Sequence, residues 1–290
     1  MVPIKPVRFV ALALIAAAVL GFRAAQGDPA QAAEQAAATG AHSAVRLLAG
    51  APLQTAGHQR IFRAGIELTI DPGWKTYWRY PGDSGVPPRF DFAGSDNVAD
   101  VTVLWPAPQL FADGAGGRSI GYSGELVLPL HITPREQDKP VRLHLGLDYA
   151  VCERICIPAR ATLQLDVTGA HAASDDKISA SEARVPRRAA LGDKDRFAIH
   201  GVAQKIESGR KIVLVDVAAP AGAPLVLLAE GPNSDWALPI PTETTEAPPG
   251  YRRFSFELAG APPGASTKAI DIRLTAIAGT EAIEAMARLD

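Results

Sequence analysis

The sequence predicts an all-β protein: two immunoglobulin-like β-sandwich domains in tandem after a signal peptide. Three observations carry that prediction. Short apolar and β-branched runs recur from about residue 45 to the end, and Pro- and Gly-containing turn signals separate nearly every pair of them. A polar stretch over 170–195 then divides the runs into two groups, each the size of one sandwich.

The elements follow in order. Lys5 and Arg8 precede an uncharged, Ala/Leu/Val-rich run over 9–22, and Ala25-Gln26-Gly27 offers a small-x-small cleavage pattern, so residues 1–27 read as a signal peptide. An apolar run of about 14 residues is short for a bilayer, which needs ~20; a retained anchor is the alternative. After cleavage no stable membrane insertion is expected, and the compartment is oxidising. Residues 28–44 are Ala-, Gln- and Gly-rich and read as a flexible spacer or frayed helix.

Within the first domain, 45–169, strands are expected over 61–70, 101–105, 126–132, 141–149 and 161–167. Between them stand Asp71-Pro72-Gly73, Pro81-Gly82-Asp83, Pro106-Ala107-Pro108, 114–117 and Asp138-Lys139-Pro140. The stretch 170–195 reads as a linker with a short helix starting at Ser174-Asp175-Asp176 and interrupted at Val185-Pro186. The second domain, 196–290, carries runs over 197–204, 211–217, 225–229, 236–240, 251–258, 269–277 and 281–289.

The 290 residues hold 29 Lys+Arg against 31 Asp+Glu, a balance that points to no nucleic-acid or anionic-membrane surface. Six histidines show no close pairing of the kind metal sites use, and no phosphate loop or paired-carboxylate motif stands out, so neither a metal nor a cofactor is expected. Gly82-Asp83-Ser84-Gly85 matches the tetrad around a serine-protease nucleophile. Too little chain precedes it to supply His and Asp in that order, and it reads as a turn.

The chemistry lies in the two cysteines, Cys152 and Cys156. In an exported chain they form a pair until shown otherwise. Positions four apart on an extended strand lie ~13 Å apart, whereas a disulfide needs Cα atoms about 4.4–6.8 Å apart. The chain must therefore turn between them, as a helical turn or tight loop joining a strand that ends near Tyr149 to one that starts near Ala161. A five-residue ring removes only ~2 kcal/mol of unfolded-state freedom, against ~4–5 for a ring of a hundred. Arg154 and Arg160 favour a thiolate and Glu153 opposes it. A redox-active pair, a structural staple and a soft-metal (copper) site all remain open on residue chemistry.

Four motifs appear in series: Trp74-Lys75-Thr76-Tyr77-Trp78-Arg79-Tyr80-Pro81-Gly82-Asp83-Ser84-Gly85, Trp105-Pro106-Ala107-Pro108, Gly121-Tyr122-Ser123-Gly124, and Cys152-Glu153-Arg154-Ile155-Cys156-Ile157-Pro158. Over about 50–168 this resembles the periplasmic N-terminal domain of the DsbD/ScsB thiol:disulfide interchange proteins, in its ScsB-like branch. The resemblance implies an immunoglobulin-like, periplasmic thiol-disulfide exchange protein that takes electrons from a membrane thiol reductant and passes them to periplasmic thioredoxin-like proteins. Cys152 and Cys156 become the redox pair, with Cys156 the one that forms mixed disulfides. In that family a cap loop with an aromatic residue shields the disulfide, which makes Tyr77, Trp78, Tyr80 and Tyr122 candidates for cap or docking surface; core is their alternative. The Cys-x-x-x-Cys spacing is tighter than in DsbD, and no transmembrane or thioredoxin-like domain is seen in these residues. A separate membrane protein is therefore expected to recharge the pair. The rival readings are a soft-metal (copper) binding protein using the same cysteines and a non-catalytic envelope adaptor.

Overall fold

The computed structural model describes Met1 and residues 37–290, except 56, 58, 114, 115 and 169–173. The expected signal peptide and the spacer up to residue 36 lie outside the described residues. The remainder is almost wholly β, with one described helix.

Eleven strands build the first sandwich: β1 (Ala37–Gly40), β2 (Ser43–Gln54), β3 (Arg60–Ile70), β4 (Thr76–Gly82), β5 (Arg89–Asp91), β6 (Val98–Val103), β7 (Gln109–Ala112), β8 (Arg118–Tyr122), β9 (Glu125–Pro134), β10 (Val141–Cys152) and β11 (Cys156–Val167). They form three sheets, ordered β1-β2-β3-β9-β6, β11-β10-β5 and β4-β8-β7. Helix α1 (Asp175–Glu182) follows. The second sandwich holds β12 (Arg187–Arg188), β13 (Ala198–Glu207), β14 (Arg210–Ala218), β15 (Leu225–Glu230), β16 (Thr242–Glu243), β17 (Arg252–Glu257), β18 (Ile270–Ala278) and β19 (Glu281–Leu289). Its two sheets are ordered β12-β19-β18-β15 and β13-β14-β17-β16.

Period-two alternation sends Phe62, Ala64, Ile66 and Leu68 of β3 into the first core, against Leu126, Leu128, Leu130 and Ile132 of β9. The opposite face of β3 is covered too, which is why the alternation expected over 61–70 is blurred. Arg63 lies there, buried under α1, and bonds Asp175, Ser179 and Glu182. Ile178 of α1 packs on Leu48 and Val127. The linker helix is thus docked on the first sandwich.

The two cores touch. Leu225, Leu227 and Ala229 of β15 point into the second core, while Leu228, with Val226 partly buried, packs on the first. A strand covered on both faces has a nearly continuous apolar run, and Leu-Val-Leu-Leu-Ala is one.

Three expectations need correction. Residues 37–44 belong to β1, its turn and the start of β2, with Ala37 paired to Arg46, and are not a spacer. Ala-rich sequence carries little β signal of its own; pairing along the edge of β2 imposes the strand. The run 236–240 is not a strand, because Pro239 and Pro241 deny it ladder donors, although Trp236, Leu238 and Ile240 are buried. The strands around the cysteines do not stop near Tyr149 and Ala161 but run to the cysteines themselves. Pro158 lies inside β11, which tolerates it as an edge strand.

A candidate redox site at a hairpin tip

Strands β10 and β11 pair from Val141↔Val167 to Cys152↔Cys156, so the cysteines are the last cross-strand partners of the hairpin. Their Cα atoms are 4.1 Å apart and the sulfurs are joined. Only Glu153, Arg154 and Ile155 lie beyond them, all exposed, with Ile155 at 69%. The two cysteines differ in burial. Cys152 is 2% exposed and packs with Tyr77 and Ala150, while Cys156 is an exposed residue. An approaching thiolate therefore meets Cys156 first.

Cys152 is fixed by its backbone. It exchanges two hydrogen bonds with Lys75, Lys75 N–H to Cys152 O at 2.9 Å and Cys152 N–H to Lys75 O at 2.8 Å. Thr76 Oγ1 donates to Ala150 O at 2.9 Å. The start of β4 is thereby laid alongside the end of β10, which brings Tyr77 over the bridge. Its hydroxyl lies 3.0 Å from Cys152 Sγ and 3.2 Å from Cys156 Sγ. Disulfide sulfurs carry no hydrogen, so the phenol is the donor to both. Burial pushes its pKa above the ordinary value of 10, so it stays protonated across the neutral range. Gly85 rests against the ring: a Cβ there would fall 2.2 Å from Tyr77 Cε1. The turn that follows β4 is the seat of the tyrosine.

The other aromatic candidates go elsewhere. Trp78 is 0% exposed in the first core. Tyr80 is buried and donates to Leu238 O of the second sandwich, and Tyr122 is buried and donates to Pro106 O at 2.7 Å. Neither a cap over the disulfide nor a docking surface is open to these three, because the alternation of β4 turns Trp78 and Tyr80 inward and β8 does the same to Tyr122. Of the four, Tyr77 alone touches the sulfurs. Trp74 stacks on His42 at 3.9 Å. Arg160, expected to favour a thiolate, is committed to Asp148 across the hairpin at 2.5 Å. A groove of about 590 Å³, lined by Val86, Pro87, Arg89, Asp148 and Tyr149 among others, opens beside the hairpin.

Sequence reasoning missed Lys75 as the register partner of Cys152 and Gly85 as the seat of Tyr77. Only the alternation Lys75, Tyr77, Arg79 hinted that these three share a face. Among the described residues no group of three or more His, Cys, Asp or Glu is placed to hold a metal ion.

The solved N-terminal periplasmic domain of ScsB from Proteus mirabilis superposes with a TM-score of 0.66 at 21% identity, covering 88% of this chain and 97% of that one. The likeness extends over both sandwiches and establishes the fold. No curated protein sequence matches the chain. Residues 45–168, which carry the joined cysteines at their hairpin tip, match the family model of the thiol:disulfide interchange protein DsbD, N-terminal.

Proposed function

We propose that this protein is a periplasmic thiol–disulfide exchange carrier, taking electrons from a membrane thiol reductant and giving them to thioredoxin-like partners through Cys152 and Cys156. One observation carries the reading: an exposed cysteine is bonded to a buried one, and the sulfur of the buried one has a protonated phenol waiting on it.

In the accepting direction a partner thiolate attacks Cys156 Sγ. A bond forms between the partner's sulfur and Cys156, the Cys152–Cys156 bond breaks, and its electron pair leaves on Cys152 Sγ as a thiolate. Tyr77 donates its hydrogen bond to that charge, which develops where water is excluded and a fixed donor counts most. A second partner thiolate then attacks the mixed disulfide. The partner leaves oxidised, Cys156 leaves reduced, and two electrons have crossed. The donating direction is the reverse.

A redox titration of Cys152/Cys156 against glutathione tests this. The pair is expected to equilibrate inside the glutathione range; one that stays oxidised below about −300 mV behaves as a structural bridge and defeats the proposal. A Cys152→Ser variant is expected to trap partners on Cys156.

A further inference from the structure

We infer that the second sandwich acts on the disulfide through strand β4, with Arg79 as the positioning residue for Tyr77; this rests on the exchange reading above. Strand β4 is held unevenly along its length. It pairs with β8 at Thr76↔Tyr122 and Tyr77↔Gly121, then only at Gly82↔Ser119, with the register broken between. The stretch immediately after Tyr77 therefore lacks a ladder to define it.

What defines it instead comes largely from the other sandwich. Arg79 Nε donates to Glu230 Oε1 at 2.9 Å, and its Nη2 donates to Glu230 Oε2 at 2.7 Å and Glu284 Oε2 at 2.5 Å. Glu230 stands on β15 and Glu284 on β19. Burial opposes the guanidinium charge, but the two carboxylates outweigh it and raise the Arg79 pKa. The guanidinium also lies 4.3 Å above the Trp78 ring. One residue on, Tyr80 donates to Leu238 O. Planar two-point bonding of this kind fixes direction as well as distance.

Tyr77 stands two residues from Lys75, which the first sandwich locks to Cys152, and two from Arg79, which the second sandwich grips. Lys75, Tyr77 and Arg79 share the same face by alternation. The turn seated on Tyr77 has the same double allegiance: a cleft of about 350 Å³ has Asp83, Ser84 and Gly85 on one wall and Ser234, Asp235 and Trp236 on the other. The second sandwich, which carries no cysteine, thus sets where the phenol stands over the sulfurs. A misplacement of about 1 Å at a reacting centre is enough to cost up to 10²-fold in rate.

The test is a double-mutant cycle on the full chain, read as the pseudo-first-order rate of disulfide reduction by dithiothreitol. Tyr77→Phe is expected to slow reduction about tenfold, the loss of one hydrogen bond to a charged group. Arg79→Gln is expected to slow it about fivefold with Tyr77 present, and by less than twofold in the Tyr77→Phe background. Glu230→Gln with Glu284→Gln, which leaves the first sandwich unaltered, is expected to repeat both results, and it replaces Arg79→Gln if that variant fails to fold. Equal slowing in both backgrounds means a merely structural interface and overturns the inference, as do rates within twofold of the parent. A parental bridge that dithiothreitol cannot open defeats the exchange reading itself, which is a different result.

Discussion

Two long hairpins in this molecule end in different ways. In the second sandwich β18 and β19 pair from Ile270↔Leu289 to Ala278↔Glu281 and turn through Gly279, at φ 62°, and Thr280, with no cross-link. In the first, β10 and β11 pair over twelve positions, three more than the nine of β18 and β19, and are then cross-linked at the last one. The shorter ladder holds without a bridge, so the longer one has no need of one. A covalent bond placed where hydrogen bonds already fix the geometry adds little to the fold, a contrast in keeping with the proposed exchange role.

The largest expected effect tests that contrast directly. Replacing both cysteines with Ser is expected to abolish exchange while costing only about 2 kcal/mol of stability, the chain-entropy value for a five-residue ring. Urea unfolding of oxidised, reduced and Ser-substituted chains measures it. A loss of about 4 kcal/mol or more, as for a ring of a hundred residues, makes the bridge a staple and removes the difference between the hairpins.

Much of this was legible from residue patterns, and the gaps have physical causes. The all-β class, most strands of both sandwiches, the turn between the cysteines and the short helix follow from alternation, turn formers and disulfide reach. Residues 37–44 did not, since Ala37 and Ala38 owe their strand to the neighbour they pair with. For the aromatic cluster, sequence supplied the residues but not the faces. Trp78 and Tyr77 are adjacent, and only the phase of β4 decides that one fills the core while the other reaches the sulfurs. That phase is set by Lys75 pairing with Cys152, a contact between residues 77 positions apart that no local pattern encodes.

A smaller effect sharpens the comparison between the hairpin regions. Gly85 has φ 126° and no room for a Cβ against the Tyr77 ring, whereas Gly279, also at positive φ, has nothing within 4 Å of a built Cβ. Alanine at either position meets backbone strain of roughly 1 kcal/mol. Only Gly85→Ala is expected also to move the phenol, slowing reduction by dithiothreitol about threefold or more, since exchange depends on where that donor sits. Equal exchange rates for the two variants break the link between the turn and the site.

The smallest effect concerns α1, which packs on β2 and β9, remote in the chain from both hairpin tips. Glu182 receives Arg63 and, at 2.9 Å, His131. Burial works against its charge, but His131 and Arg63 outweigh burial and hold its pKa below 4.5. A carboxylate lowered on folding contributes stability that is fully present above its unfolded pKa and is lost as pH falls through the folded one. Glu182→Gln is therefore expected to cost about 1–2 kcal/mol at pH 7, in line with hydrogen bonds to a charged group. The deficit should shrink as pH falls below 4.5, because the unfolded parent then gains a proton at Glu182 that the folded chain resists. Denaturant unfolding of parent and variant at pH 7 and pH 3.5 reads the difference. Reduction by dithiothreitol at pH 7 should be unchanged, because Arg63 and His131 anchor a helix and neither touches β4, the cysteines or the carboxylates that grip Arg79.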